Sequence, residues 1–235
     1  MDGYDRHIET QPELTIIVPI YNEAATLARM MAAIRSACPT AEVIYVNDGS
    51  SDGSLEILQR SVGARDKVLT KKNGGKGSAV VAGLEHATGR FTVIQDADLE
   101  YDPKQIPLLV QEAKMHEGSA VFGSRFLKSN PTTHWRFLLG NKVLTLALRI
   151  LFGGHVTDCY TCYKLLPTSM FKSLQLSSNG FELEAEITAQ CFKQEIPIRE
   201  VPIVYHPRSV EEGKKISWKD AVKGLWTLWK LRMKK

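Results

Sequence analysis

Two aspartates two residues apart, Asp96 and Asp98, stand in the segment QDADLEYDP, directly after an apolar run. On an extended chain, side chains two apart point the same way. Two carboxylates converging at the end of a strand make a hard-oxygen site for Mg2+ or Mn2+, with Glu100 a candidate third ligand. Mg2+ commonly takes one or two protein carboxylates and fills its sphere with substrate phosphates, so the pattern suggests chemistry on a diphosphate. The bland reading of the same residues is a solvated acidic turn. Three other stretches carry groups of interest. NDGSSDGS (47–54) puts Asp48 where it would accept hydrogen bonds from a base or ribose, while Asp48, Ser50, Ser51 and Asp52 also read as helix caps. NGGKGSA (73–79) offers backbone N–H groups and Lys76 to a diphosphate, or is simply a flexible turn. It is not a Walker A loop, because Thr70 stands where the first glycine belongs. Cys159 and Cys162 form one C-x-x-C, which is half a zinc site, and burial as small hydrophobes is the simpler reading.

The elements that must position these groups alternate. Apolar, β-branched runs at 14–19, 43–46, 67–70, 91–95 and 120–123 read as strands. Helical spacing covers 22–36 (Asn22 a possible N-cap), 55–60, 78–86 and 103–116. This alternation predicts a mostly parallel sheet with helices on both faces, whose ligands sit beyond the carboxyl ends of the strands. The unusual polar residues fall at those ends: Tyr21 to Glu23, Asp48, Asp96, Asp98, and Ser124 with Arg125. Beyond residue 125 the spacing predicts helices at 136–151 and 181–192, a strand or hairpin arm within 158–166, a strand at 198–205, and a helical tail.

Composition narrows the classes. With 235 residues, 43% hydrophobic and 24% charged, the chain is neither disordered nor a disulfide mini-scaffold. No apolar run reaches the roughly 18 residues that span a bilayer, and residues 1–13 are polar, with no signal-peptide pattern. Four cysteines in this length point to a reducing, cytoplasmic setting. The net charge of +4 is uneven: residues 206–235 hold 9 Lys or Arg against 3 Asp or Glu, so the rest is slightly acidic. A basic tail without a nucleic-acid module points to another anionic partner. In that tail Trp218, Val222, Leu225, Trp226 and Trp229 share helical spacing, with Lys219, Lys223, Lys230 and Arg232 mostly elsewhere on the wheel. Such a helix suits a membrane interface, or packs its apolar face on the domain.

Taken in order, VPIYNE (18–23), NDGSSDGS, NGGKGSA, QDADLEYDP, GSR (123–125), LGNKVLT (139–145), TDCYTCYKLLP (157–167), FELEAEI (181–187) and PRSVEEGKKISWKD (207–220) resemble the family 2 glycosyltransferases of the dolichol-phosphate mannose synthase type. The resemblance runs from about residue 14 to the end. It implies a GT-A nucleotide-sugar fold over 14–216, after an N-terminal extension at 1–13 and before an amphipathic helix at 217–235. It also implies an inverting transfer of a hexose to a polyprenyl phosphate on the cytoplasmic side of a membrane, with the protein attached peripherally. On that pattern Pro19, Tyr21, Glu23 and Asp48 hold the nucleotide, and Asp96 and Asp98 bind the metal, with Glu100 where relatives often carry Gln. Arg125, beside Ser124, and Arg208 hold the acceptor phosphate, and Lys214 and Lys215 lie in a mobile acceptor loop. Lys76 adds positive charge at the leaving diphosphate, and Glu182 and Glu184 are positioning groups rather than the base. The alternatives are transfer to a saccharide or lipid hydroxyl, or a nucleotide-sugar-binding protein without catalysis.

Overall fold

In the computed structural model, residues 11–131, 135–208 and 218–233 are described. A seven-stranded sheet runs through the centre, in the order β3-β2-β1-β4-β6-β5-β7. The strands are β1 (Leu14–Ile20), β2 (Glu42–Asn47), β3 (Asp66–Thr70), β4 (Phe91–Ile94), β5 (Ala120–Ser124), β6 (Lys164–Pro167) and β7 (Ile198–Pro202). β1 to β4 pair in parallel, as do β5 and β7, while β6 lies antiparallel between β4 and β5. Six strands therefore share one direction, and their carboxyl ends form one edge. The reversed strand brings the segment that precedes it, TDCYTCY, to that same edge.

The helices are α1 (Ala24–Ala37), α2 (Ser54–Ser61), α3 (Lys76–His86), α4 (Ile106–Met115), α5 (Trp135–Phe152), α6 (Thr168–Ser173), α7 (Leu183–Lys193) and α8 (Trp218–Met233). The central strands read as unbroken apolar runs because both faces are covered: every residue of β2 and of β4 is buried. Edge strand β3 is only partly buried, which explains its weak sequence signal. The alternation at 198–205 ends as a strand at Pro202, and Tyr205 makes only an isolated bridge to Tyr101.

The tail helix does not hide the tryptophan face. α8 packs through Gly224, Leu228 and Leu231, with α5 and α7 against it, and leaves Val222, Leu225, Trp226, Trp229 and Met233 exposed. Trp226 and Trp229 stack at 4.8 Å, and the Lys230 ammonium lies over the Trp226 ring. The neighbouring α5 exposes Leu139, Val143, Leu146 and Ile150 at the same helical spacing. Among the described residues, no helix is long and apolar enough to cross a membrane.

Candidate active site

The loop after β2 is rich in Ser and Asp because it caps the loop after β1. Ser50 Oγ accepts from Asn22 N, Ser54 Oγ from Glu23 N, and Asp52 Oδ2 from Ala24 N. Asp52 also accepts from Ser54 N at the start of its own helix. Burial works against its charge, yet the bonds from Ser54 and Ala24 hold the Asp52 carboxyl below its ordinary range. Asn22, a possible cap from spacing alone, instead adopts φ 52° and accepts from Ser51 N. This lattice seats Pro19, at the end of β1, half-exposed Tyr21, and Glu23 along the rim.

Asp48 is buried and takes no part in capping. Its carboxylate accepts from Lys71 Nζ at 2.8 Å, Gly74 N at 2.9 Å and Gly75 N at 2.7 Å. The Gly-rich loop thus spends two of its backbone donors on Asp48, not on an incoming diphosphate. Its glycines are required by close approach: a Cβ on Gly77 would stand 2.2 Å from Ser178 O, and one on Gly75, at φ +95°, 2.5 Å from Asn179 O. Glu186, fully buried in α7, holds the opposing loop by accepting from Ser177 N and Ser178 N.

Asp96 and Asp98 do not owe their positions to strand alternation. β4 ends at Ile94, and DADLEY folds into a turn with Leu99 in the left-handed region at φ 66°. That conformation costs a non-glycine residue about 1 kcal/mol or more and has to be held from outside. Gln95 holds it by donating from Nε2 to Asp96 O and Tyr101 O, while Tyr163 OH donates to Gln95 Oε1 at 2.7 Å. From the other side comes the chain after β7. Tyr205 OH donates to Glu100 Oε2 at 2.6 Å, Arg208 N to Glu100 Oε1 at 2.7 Å, and Arg208 Nε to Asp98 O at 2.8 Å. Arg208 also pairs with Glu23 at 2.8 Å and lies 4.0 Å from Asp98 Oδ2. Glu100, which the sequence offers as a third metal ligand, uses its carboxylate in this structure to fasten the 205–208 strap. Among the described residues, no group of three or more His, Cys, Asp or Glu is arranged to hold a metal. What does fit is the donor chemistry of two carboxylates with partly accessible side chains, Asp96 at 20% and Asp98 at 23%. A hard cation sharing them with a diphosphate needs no complete protein cage.

Arg125, expected on the resemblance to hold the acceptor phosphate, is ion-paired in this structure. Its Nε and Nη2 grip the fully buried Asp158 at 2.7 and 2.8 Å, and its guanidinium stacks 5.1 Å from the Tyr205 ring. Burial opposes both charges, but each partner holds the other ionised: Arg125 is held well above its usual value and Asp158 below the carboxylate range. Ser124 is buried at the end of β5 and hydrogen-bonded to Thr157.

Lys76, the first residue of α3, lies 2.7 Å from Asp96 Oδ1 and 2.8 Å from Glu184 Oε1. Burial disfavours its charge, but the Asp96 carboxylate keeps the ammonium well above the usual lysine value. Glu184 in turn meets the fully buried Lys164 at 2.9 Å. Cys159 and Cys162 are free and buried, with burial pushing the Cys159 thiol up to about 12. Lys214 and Lys215 lie outside the described residues. Sequence reasoning missed Gln95, Tyr205, Asp158 and Lys164. Only Asp158 and Lys164 carried a signal, being the only charges in the TDCYTCYKLLP stretch.

Comparison with known proteins places this geometry. Residues 15–175 match the model of glycosyl transferase family 2. The chain belongs to that family. This family 2 member is 28% identical over 208 residues to the low-salt glycan biosynthesis hexosyltransferase Agl6 of Haloferax volcanii, covering 85% of this chain and 49% of that one. To glycosyltransferase AglJ of the same organism it is 29% identical over 202 residues, covering 85% and 65%. To the undecaprenyl-phosphate 4-deoxy-4-formamido-L-arabinose transferase of Aeromonas hydrophila it is 31% identical over 157 residues, covering 63% and 47%. The chain thus spans about half to two thirds of the length of these relatives. Its fold matches that of glucosyl-3-phosphoglycerate synthase from Mycobacterium tuberculosis, at a TM-score of 0.74, 19% identity, and coverage of 94% and 80%. That synthase has also been solved with Mn2+, uridine diphosphate and glucosyl-3-phosphoglycerate, and the family 2 chain matches it at a TM-score of 0.73. The fold is therefore GT-A, with the mostly parallel sheet that the strand–helix alternation predicts.

Proposed function

We propose that this protein transfers a hexose, mannose or glucose, from a nucleoside-diphosphate sugar to a polyprenyl phosphate, at the cytoplasmic surface of a membrane and with Mg2+ or Mn2+. The observation that carries the reading is the strap: Arg208, 4.0 Å from Asp98, sets a guanidinium beside the acidic turn. An acceptor phosphate drawn to Arg208 would stand next to a donor diphosphate held through Asp96 and Asp98. A planar guanidinium suits phosphate geometry. The names of AglJ and of the undecaprenyl-phosphate transferase support the same class of reaction. The exposed apolar faces of α5 and α8, with their stacked tryptophans and flanking lysines, have the character of a lipid-facing surface.

In this reading an oxygen of the acceptor phosphate attacks C1 of the sugar. The bond from C1 to the diphosphate oxygen breaks, and its electron pair leaves with the diphosphate. Asp96 and Asp98 would hold a divalent cation, which would supply Lewis-acid stabilisation of that leaving charge. Lys76 stands beside Asp96 to offset the same charge. Pro19, Tyr21 and Glu23 line the donor side of the rim, and Asp48 keeps the 71–75 loop in place around it. Lys214 and Lys215 belong to the stretch that would close over the acceptor. No strong base is required, because a phosphate monoester has its second pKa near about 6 and is largely dianionic at neutral pH.

A second reading, transfer to a hydroxyl, does require a base. One observation favours it: Glu182 Oε2 is buried and, among the described residues, has no hydrogen-bond partner, in the segment whose Phe181 ring faces Lys76. A transfer assay separates the two. Purified protein with Mg2+ or Mn2+ receives radiolabelled GDP-mannose, UDP-glucose or UDP-N-acetylglucosamine and a polyprenyl phosphate in detergent. Label entering the lipid, lost in Asp98→Ala and retained in Glu182→Gln, is the expected result. Label entering only a hydroxyl acceptor, and abolished by Glu182→Gln, would replace the first reading with the second.

A further inference from the structure

Four charges alternate in sign from the rim into the core: Asp96, Lys76, Glu184 and Lys164. The spacings are 2.7, 2.8 and 2.9 Å. Lys76 reaches both oxygens of Asp96, Oδ1 at 2.7 Å and Oδ2 at 2.9 Å. Its side chain is 11% exposed, that of Glu184 is 3% exposed, and that of Lys164 is fully buried. Lys164 is fixed further by donating to Cys159 O and Thr161 O. The inner pair is therefore rigid and neutral, while the outer pair stands where solvent and ligands arrive. An ammonium on Asp96 satisfies the same carboxylate that a divalent cation would use.

We propose that Lys76 is a built-in counter-ion that occupies Asp96 in the donor-free protein and competes there with the divalent cation, and that Glu184, anchored by Lys164, sets the strength of that competition. The inference rests on the reading of Asp96 and Asp98 as the cation site. An arriving diphosphate offers Lys76 an alternative anion beside the one it leaves, so cation and donor bind cooperatively. Neither carboxylate is bare at any stage, which matters for charges packed this closely. Glu184 is a positioning residue here: it pulls on Lys76 from behind and so lowers the hold of Lys76 on Asp96.

The test is Mn2+ affinity, read from the loss of the free-ion electron paramagnetic resonance signal on titrating protein, with and without UDP or GDP. Lys76→Met leaves Glu184 paired with Lys164 and Asp96 partly solvated, so the variant keeps its fold. Without nucleotide it is expected to bind Mn2+ about tenfold more tightly than the parent, the scale on which one charge at this range shifts a neighbouring ionisation. The tightening gained from nucleotide shrinks in the same variant. Glu184→Gln leaves Lys76 wholly to Asp96 and weakens Mn2+ binding without nucleotide. Opposite shifts from two adjacent positions are not what general loosening of the site produces. Where Glu184→Gln melts below the assay temperature, Lys164→Met replaces it, since Glu184 then serves Lys76 alone and Mn2+ binds more tightly. Unchanged or weaker Mn2+ affinity in Lys76→Met, with normal nucleotide-assisted binding in the parent, overturns the counter-ion role. No Mn2+ binding by the parent even with nucleotide overturns the cation site itself.

Discussion

Arg125→Met tests whether Arg125 is a binding group or a buried strut. The substitution removes two charge-assisted bonds to Asp158, at 2.7 and 2.8 Å, together with the counter-charge. The Asp158 side chain is fully buried. It retains two neutral donors, the backbone N–H of residue 125 at 3.1 Å and Asn141 Nδ2 at 2.8 Å. Breaking one side of a buried pair costs about 3–5 kcal/mol, and the two surviving donors place this case near the lower figure. On a chain of this size that loss lowers Tm by about 6–12 °C. Urea denaturation and calorimetry at pH 7 measure it directly.

The pH dependence carries a second signature. In the parent, Asp158 has a folded pKa below its unfolded value, so its contribution is present above about pH 4 and disappears as pH falls through the lower folded value. In Arg125→Met, burial without the guanidinium raises that pKa above the unfolded value. The folded variant then binds a proton more tightly than its unfolded chain, and its deficit narrows as pH falls from 7 toward 5. Adding Asp158→Asn restores more than half of the lost stability at pH 7, because no uncompensated charge remains. A deficit under about 1 kcal/mol, or one that grows in acid, would refute the strut and return Arg125 to the role of an available phosphate ligand.

Other elements yield shorter tests. Gly77→Ala drives a methyl to 2.2 Å from Ser178 O, so urea denaturation should show a loss of about 1–3 kcal/mol or more. Tyr205→Phe removes the bond to Glu100, worth about 1.5–3 kcal/mol, and loosens the strap; steady-state kinetics should show KM for the acceptor rising about tenfold with nucleotide affinity unchanged. All four cysteines are buried, and burial pushes Cys38 to about 11 and Cys191 to about 12. Their stability contribution as thiols is lost only as pH rises toward those values, so a thiol reagent at pH 8 should find none quickly before denaturation and all four after it. Trp226→Ala with Trp229→Ala should cut binding to anionic liposomes at least about tenfold while leaving Tm close to the parent, since both rings are half-exposed; a large drop in Tm with unchanged binding would make them packing residues instead.

The sheet was legible because its signals are local. Short β-branched runs and helical spacing mark β1 to β5 and the helices between them, and the topology rule puts their polar ends along one edge. The rim residues were therefore found in position, but their partners were not. Arg125 and Asp158 are 33 residues apart and meet because β6 runs backwards between β4 and β5, an order no local pattern encodes. Arg208 and Glu23 are separated by 185 residues. The tail is the converse case. Of the face its helical wheel groups, Val222, Leu225, Trp226 and Trp229 are exposed together, while the Trp218 side chain lies outside the described residues, and only the structure shows that Gly224, Leu228 and Leu231 do the packing.

These long-range pairings change what the motifs mean. NGGKGSA looked like a cradle offering donors to phosphate, and in the structure two of its N–H groups, those of Gly74 and Gly75, bond Asp48 while its lysine faces Asp96. NDGSSDGS offers Asp48 to a base or ribose, and its Ser50, Asp52 and Ser54 clamp the chain that enters α1. In both cases the chain meets its own charged and polar groups at the rim before any ligand arrives. A rim whose carboxylates and cations are mutually satisfied stays folded when empty, where a cluster of bare carboxylates would repel. The consequence is that ligand binding at this edge must exchange partners as well as add them. Affinity then depends on how firmly Asp96 holds Lys76 and how firmly Glu23 and Glu100 hold Arg208 and its strap.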